Sequence, residues 1–354
     1  MNERRWRDPK RWWWLLSPAL PLLVASHLLR FIESGQTRWL FLMSLFMYGV
    51  VPLMDALLGL DKGNPPESAT AELAGSVWYR AIVVAYVPSQ LAATGLGAWI
   101  AATLPLDGWQ WLGLVLSVGG INGIAINTAH ELGHKQPRWE RALALVTLAP
   151  VAYGHFFVEH NRGHHRRVAT REDPASARLG ESFWAFLPRT VLGSLRSAWQ
   201  LDRRQCLQAW ALSLVLYAGL VAWLGLAVLP FLLVQAAYGI SLLEVVNYIE
   251  HYGLLRSRGA DGRVQRCGPE HSWNSDHRVS NLFLYQLQRH SDHHAHPGRR
   301  YQLLRHFDSS PQLPMGYAGM LLLAYLPPLW FRVMDPRVLA HYGGDRRRAN
   351  LQII

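Results

Sequence analysis

Charged residues are scarce in this chain and cysteines scarcer. Only 17% of its 354 residues are Asp, Glu, Lys or Arg, against about a quarter in an ordinary soluble domain, so a soluble globular fold is a poor fit. The two cysteines, Cys206 and Cys267, form no CxxC pair, which excludes a cysteine-ligated iron centre within the chain. Both fall on the side assigned below to the cytoplasm, where thiols stay reduced, so no disulfide is expected. Internal repeats, low-complexity tracts and a detachable soluble domain are also missing. Acidic residues number 24 against 35 basic ones, a formal charge of +11. The arginines are scattered among apolar segments without a recognisable binding module, so no nucleic-acid partner is expected.

What is abundant is apolar and aromatic: half of the residues are hydrophobic, and 16 are tryptophans. Apolar runs cover residues 12 to 29, 39 to 60, 81 to 104, 109 to 129, 208 to 229 and 231 to 250. At roughly 1.5 Å per residue each can cross a hydrocarbon core of about 30 Å. The expected fold is therefore all-α, a polytopic membrane protein with six transmembrane helices, read as one integral-membrane unit over residues 1 to 354. Two weaker pieces, 141 to 157 and 315 to 333, are short or broken by Pro150, Pro327 and Pro328 and read as interfacial or re-entrant. The first run follows a basic stretch, as a signal peptide would, but its tryptophan triplet and the second span close behind it argue for a retained helix.

Lys and Arg in the short loops set the orientation. Arg4, Arg5, Arg7, Lys10 and Arg11 precede the first span, while the 105 to 108 and 226 to 230 loops carry no basic residue. The N-terminus is expected in the cytoplasm, and six crossings put the 61 to 80 loop, the 130 to 207 region and everything after residue 250 on the same side. Contact with anionic lipid accounts for much of the net charge.

The 16 histidines carry the chemistry. His130 and His134 end the fourth span at i, i+4, a spacing that puts both rings on one helical face. "EHNRGHHRR" repeats that spacing at His160 and His164 with His165 adjacent, "LQRHSDHHAHP" holds His290, His293 and His294, and His251 ends the sixth span. Imidazoles crowded on one membrane face repel each other as they protonate unless a cation takes up their lone pairs. Nine exceed what one ion uses, since zinc takes four ligands, so two metals with four or five histidines each fit the count. Softness does not choose among iron, copper, zinc and nickel, but open nitrogen-ligated positions at a membrane surface suit oxygen chemistry on iron.

His130-Glu131-Leu132-Gly133-His134 also matches the HExxH signature of zinc proteases. The tempting third ligand, Asp107, lies 23 residues before His130, roughly 34 Å along a helix, which defeats that geometry. A ferritin-like diiron site needs two Glu-x-x-His pairs, and only Glu131 begins one. A bis-histidine haem would leave the grouped boxes unexplained.

The boxes "HELGHK" (130 to 135), "EHNRGHH" (159 to 165) and "LQRHSDHHAHP" (287 to 297), with "NYIEHYGL" (247 to 254), resemble the integral-membrane alkane 1-monooxygenases of bacteria, within the membrane fatty-acid desaturase and hydroxylase superfamily. The likeness extends to "NPPE" (64 to 67), "YGHFF" (153 to 157), "DPASARLGES" (173 to 182), "HSWNSDH" (271 to 277) and "MDPRV" (334 to 338). The three-box spacing alone is shared with desaturases, carotenoid hydroxylases and xylene monooxygenases; the fourth motif and the flanking residues favour the alkane branch. The resemblance implies a multi-pass inner-membrane enzyme with a non-haem diiron centre of two iron ions. It would hydroxylate medium- or long-chain n-alkanes to 1-alkanols with dioxygen as co-substrate and electrons from rubredoxin, supplied by a reductase and NAD(P)H. It transfers metal-ligand roles to His130, His134, His160, His164, His165, His251, His290, His293 and His294. Some relatives carry a fused rubredoxin; the 57 residues after the last box hold no cysteine, so a separate rubredoxin is expected. A diiron desaturase or hydroxylase acting on another lipid or hydrocarbon is the alternative, and a zinc-dependent hydrolase the third class.

Acids beside ligand imidazoles commonly orient them. Asp55, Glu131, Glu159, Glu244, Asn247, Glu250 and Asp292 are the candidates, with Glu244, Asn247 and His251 along one face of the sixth span. His155, His271, His277 and His296 read as hydrogen-bonding or loop residues. Phe46, Met47 and Tyr48 in the second span are candidates for lining an apolar passage along which an alkane reaches the metals. Arg162, Arg166, Arg167, Arg299 and Arg300 would steer an acidic rubredoxin.

Overall fold

The computed structural model describes residues 6 to 352; Arg4 and Arg5, used above for orientation, lie outside the described residues. Among those residues the regular structure is helical, with only isolated β-bridges. Six helices are long and apolar enough to cross a membrane: α1 (Trp13–Ser34), α2 (Arg38–Leu58), α3 (Val77–Thr103), α4 (Gly108–Gly133) and, after an intervening region, Arg203–Leu224 and Leu226–His251. Each overlaps one of the six apolar runs; the fifth helix begins and ends five residues before its run, closing at Gly225. Between the fourth and fifth lie α5 (Arg138–Leu148), α6 (residues 156 to 167) and α7 (Phe183–Leu201). The last two spans are α8 (Arg203–Leu224) and α9 (Leu226–His251). Shorter helices follow: α10 (Arg278–Phe283), α11 (His290–Ala295), α12 (Tyr317–Ala324) and α13 (Pro327–His341).

α4 is the hub. In its most apolar stretch 83% of residues are buried in protein, against 11% in α8, so α4 is central and α8 lies at the periphery. Asp107 caps α4 by accepting from the Gln110 N–H at 2.8 Å, completing a capping box. It therefore sits at the opposite end of the helix from His130, and the protease triad is excluded by structure as well as by arithmetic. α4 crosses α9 through glycines: a Cβ on Gly119 would fall 2.7 Å from the Gln235 carbonyl, and one on Gly123 would fall 2.8 Å from Leu242. Only glycine permits that approach, and it brings the histidine-bearing ends of both helices together.

A polar clamp fixes the crossing. Gln90 Nε2 of α3 donates to Asn122 Oδ1 at 2.9 Å, Asn122 Nδ2 donates to Gln235 Oε1 at 2.8 Å, and Gln235 Nε2 donates to the Pro150 carbonyl at 2.6 Å. Such interhelical bonds contribute roughly 0.6 kcal/mol each; their larger role is register.

α2 contains a π-turn over Phe46–Val50, immediately before Pro52, whose missing N–H and bulky ring break the regular ladder. α7 is an amphipathic helix capped by Ser182; lacking a continuous apolar run, it leaves no span signal in the sequence.

Candidate metal centre

Nine histidines from four places in the chain converge at one end of the bundle. His130, His134, His160, His165 and His293 form one group and His164, His251, His290 and His294 a second; within each, one nitrogen per ring lies within 4.8 Å of all the others. The groups adjoin, with the His165 and His294 rings 4.5 Å apart.

The second box departs from its expected pairing. The i, i+4 rule puts His160 and His164 on one face, but residues 160 to 164 form a π-turn. That wider turn brings residue i+5 under residue i. His165 Nε2 meets His160 Nε2 at 3.0 Å, while His164 turns into the other group. In α11 ordinary helical geometry holds: His290 and His294 share a face, with Nε2 atoms 2.9 Å apart, and His293 reaches the first group. A turn with Tyr285 (φ 51°) and Gln286 (φ 55°) leads into α11. It is pinned by Gln286 Nε2 donating to the Tyr301 carbonyl at 2.8 Å.

The nitrogen geometry fits cations. His293 Nε2 lies 2.9 Å from His130 Nε2 and 3.1 Å from His165 Nε2, and His290 Nε2 lies 3.2 Å from His251 Nε2 and 2.9 Å from His294 Nε2. A ring nitrogen has one lone pair or one proton in the ring plane, so it cannot hydrogen-bond two such neighbours; several lone pairs aimed at one ion can coexist. His134 Nε2 and His164 Nε2 are buried without a hydrogen-bond partner among the described residues. Burial first, and neighbouring imidazoles second, hold His134, His160, His165, His290, His293 and His294 well below the ordinary histidine pKa. Neutral rings are the metal-binding form.

The acids around the groups are distributed differently from the sequence expectation. Glu250 Oε2 lies 3.1 Å from His290 Nε2, and its Oε1 accepts from the Tyr317 hydroxyl at 2.9 Å. The other candidates have different partners. Glu244 accepts from Tyr153, Thr190 and Asn247. Asp55 caps α10 through the Val279 and Ser280 N–H groups. Glu131 pairs with Lys135, Glu159 with Arg167, and Asp292 with Arg299 and His296. Asp173, not singled out from sequence, holds His164 Nδ1 at 2.9 Å. Burial alone would raise its carboxyl, but His164 and Ser176 bring it down to about 2. His251 Nδ1 faces the His271 carbonyl at 3.4 Å. Of the other histidines near the boxes, His155 meets Trp210 Nε1 at 3.4 Å and His277 meets Ser275 Oγ at 2.8 Å.

A narrow apolar slot of about 90 Å³ runs from Leu20, Met43 and Met47 to His130, His160, His290 and Glu250. Phe46 and Met47 line it; Tyr48 does not, and its hydroxyl instead meets the Tyr238 hydroxyl at 2.8 Å.

Comparison with known proteins agrees with this architecture. Residues 107–324 match the fatty acid desaturase family. An alkane 1-monooxygenase of Acinetobacter baylyi is 44% identical over 97% of this chain and 88% of its own length. Alkane 1-monooxygenase 1 of Alcanivorax borkumensis is 44% identical over 98% and 89%. The hydroxylase component of a xylene/toluene monooxygenase from Pseudomonas putida is more distant, 28% identical over 64% of this chain and 63% of its own. Nine clustered histidines, six helices long and apolar enough to cross a membrane, and near-full-length similarity place this chain among the alkane 1-monooxygenases of the fatty acid desaturase family.

Proposed function

We propose that the protein hydroxylates the terminal methyl of medium- to long-chain n-alkanes: R–CH3 + O2 + 2 electrons + 2 protons gives R–CH2OH + H2O. The observation that carries this reading is the apolar slot closing on His130, His160, His290 and Glu250. In this reading His130, His134, His160, His165 and His293 hold one iron and His164, His251, His290 and His294 the other. A bound diiron pair supplies oxygen activation and attack on an unactivated C–H bond. The protein's part is orientation: Asp173 fixes the tautomer of His164, and the slot walls exclude water and favour an unbranched chain advancing end first. Glu250, held by the Tyr317 hydroxyl, puts a proton-exchanging group at the slot's end.

Basic loops facing the cytoplasm of a bacterial inner membrane fit electron delivery there from a separate rubredoxin, itself reduced by its reductase with NAD(P)H. His134 and His165 are the partly exposed rings of the nine and give electrons the shortest way in. Four of the five arginines considered for docking are already in ion pairs: Arg162 with Asp202, Arg167 with Glu159, Arg299 with Asp292 and Arg300 with Glu140. That leaves weaker steering than their number suggests, so a modest dependence of reduction rate on ionic strength is expected.

The deciding experiment supplies an alkane series, isotopically labelled dioxygen and reduced rubredoxin to the purified protein. Labelled primary alcohol is expected. An alkene without label would make it a desaturase, and label at an inner carbon would overturn the terminal specificity.

A further inference from the structure

α7 leaves an apolar groove open at its junction with α8. Leu192, Leu195, Arg196 and Trp199 of α7 and Trp210 of α8 line a space of about 400 Å³. Leu192 is 66% exposed there. The Trp199 and Trp210 rings stack, with centroids 5.8 Å apart and planes 14° from parallel. Trp210 directs its indole N–H to His155 Nδ1 at 3.4 Å, so what it offers the groove is ring surface. The bonds that hold α7 to the bundle come from buried residues instead: Thr190 Oγ1 donates to Glu244, and Ser197 Oγ accepts from Arg167.

The charge beside these rings is of one sign. Arg196 lines the groove, and the Arg203 guanidinium lies over the Trp199 ring, 5.5 Å from its centroid. Both arginines are exposed, and neither has an ion-pair partner among the described residues. The carboxylate next in sequence, Asp202, is engaged by Arg162 at 2.7 Å and by the Gln205 N–H at 2.9 Å. Depth joins the two features. Arg203 begins the fifth candidate span, and Trp210 lies roughly 10 Å further along that helix. Cations at the mouth of a span, with an aromatic wall leading inward from them, suit a molecule with a negative head and an apolar tail. A soluble anion would leave the wall uncovered, and a neutral hydrocarbon would leave the arginines unpaired.

We propose that the groove between α7 and α8 binds one anionic glycerophospholipid, its phosphate held by Arg196 and Arg203 and an acyl chain lying along Leu192, Leu195 and the stacked indoles. A zwitterionic lipid brings a cation of its own to the same two arginines and binds more weakly. The site is separate from the metal centre and does not depend on which reaction occurs there.

Lipid titration tests it. The full-length protein in detergent is titrated with phosphatidylglycerol or with phosphatidylcholine of equal chain length, and bound lipids and chains are counted by native mass spectrometry. One phosphatidylglycerol is expected per chain, at concentrations at least about fivefold below those needed for phosphatidylcholine. Arg196→Gln and Arg203→Gln are each expected to raise the phosphatidylglycerol concentration needed about fivefold. Leu192→Gln should weaken both lipids and leave the preference between them in place. All three side chains are exposed, so the variants should fold. Equal binding of the two lipids, or binding untouched by the arginine variants, would overturn the proposal. Displacement by inorganic phosphate alone would make the arginines a site for a free anion, and a two-chain species that excludes lipid and is broken by Leu192→Gln would make the groove an interface between copies; either result overturns it too.

Discussion

The two histidine groups are built from the same side chain but sit in different surroundings. In the five-membered group His134 and His165 are partly exposed, while all four rings of the other are buried. The buried group has carboxylates at hand, Asp173 on His164 and Glu250 beside His290. A site that must exchange electrons with a soluble donor benefits from an exposed edge, and a site that must hold its ion away from water benefits from rings that cannot turn. On the proposed function, contact with the donor falls to the first group and rigid retention to the second.

The comparison breaks most sharply if a ring is removed from the buried group. His290→Ala is expected to lower iron from about two to about one per chain, by metal analysis of purified protein. Alkane hydroxylation should drop by more than about 100-fold, since even outer partners of ligands are worth 10–100-fold. Equal loss of both irons would mean that the groups fold as one unit. Asp173→Asn keeps the shape and removes the charge that orients His164. Metal affinity at the buried site should weaken by about 10–100-fold, read as one iron released to a chelator well before the other. Release of both at the same rate would mean that the two groups hold their ions alike.

The sequence made the helices and the histidines legible because both signals are local. Six apolar runs predict six spans, and i, i+4 spacing puts His130 with His134. The division into two groups was hidden by the π-turn at 160 to 164, which regular helical spacing does not anticipate. Adjacency misled for the acids. Successive helical residues point about 100° apart, so Glu250, next to His251, meets His290 instead, and Glu131, next to His130, turns to Lys135. Asp173 and the His271 carbonyl reach their rings from non-helical or single-turn segments, where no periodicity announces a contact.

A smaller effect on chemistry is expected outside both groups. Lys135 and Glu131 pair at 2.9 Å with side chains 3% and 8% exposed. Lys135→Met strands a buried carboxylate and should cost about 3–5 kcal/mol of stability, measured by thermal unfolding in detergent. Iron per folded chain should stay unchanged, because neither side chain bonds a grouped histidine. Loss of iron from the exposed-edge group in the surviving folded protein would extend that group's support to this pair.

The mildest change tests the slot that serves both groups. Met47 is 9% exposed and lines the slot, whereas the neighbouring Tyr48 is turned away to Tyr238. Met47→Trp adds bulk where the slot is already narrow, and overpacking of this kind costs about 1–3 kcal/mol. The penalty falls on alkanes long enough to pass residue 47 while their end reaches His130 and His290; shorter ones stop before it. The product profile across an alkane ladder should therefore shift toward shorter chains with iron content unchanged. Tyr48→Phe, which removes one hydroxyl outside the slot, should leave the profile where it was. If the two variants shift it equally, chain length is set by the general fit of α2 against its neighbours; if neither does, the limiting contact lies deeper, among Leu242, Val246 and Leu321, which line the slot nearer the metals' end of α9 and on α12.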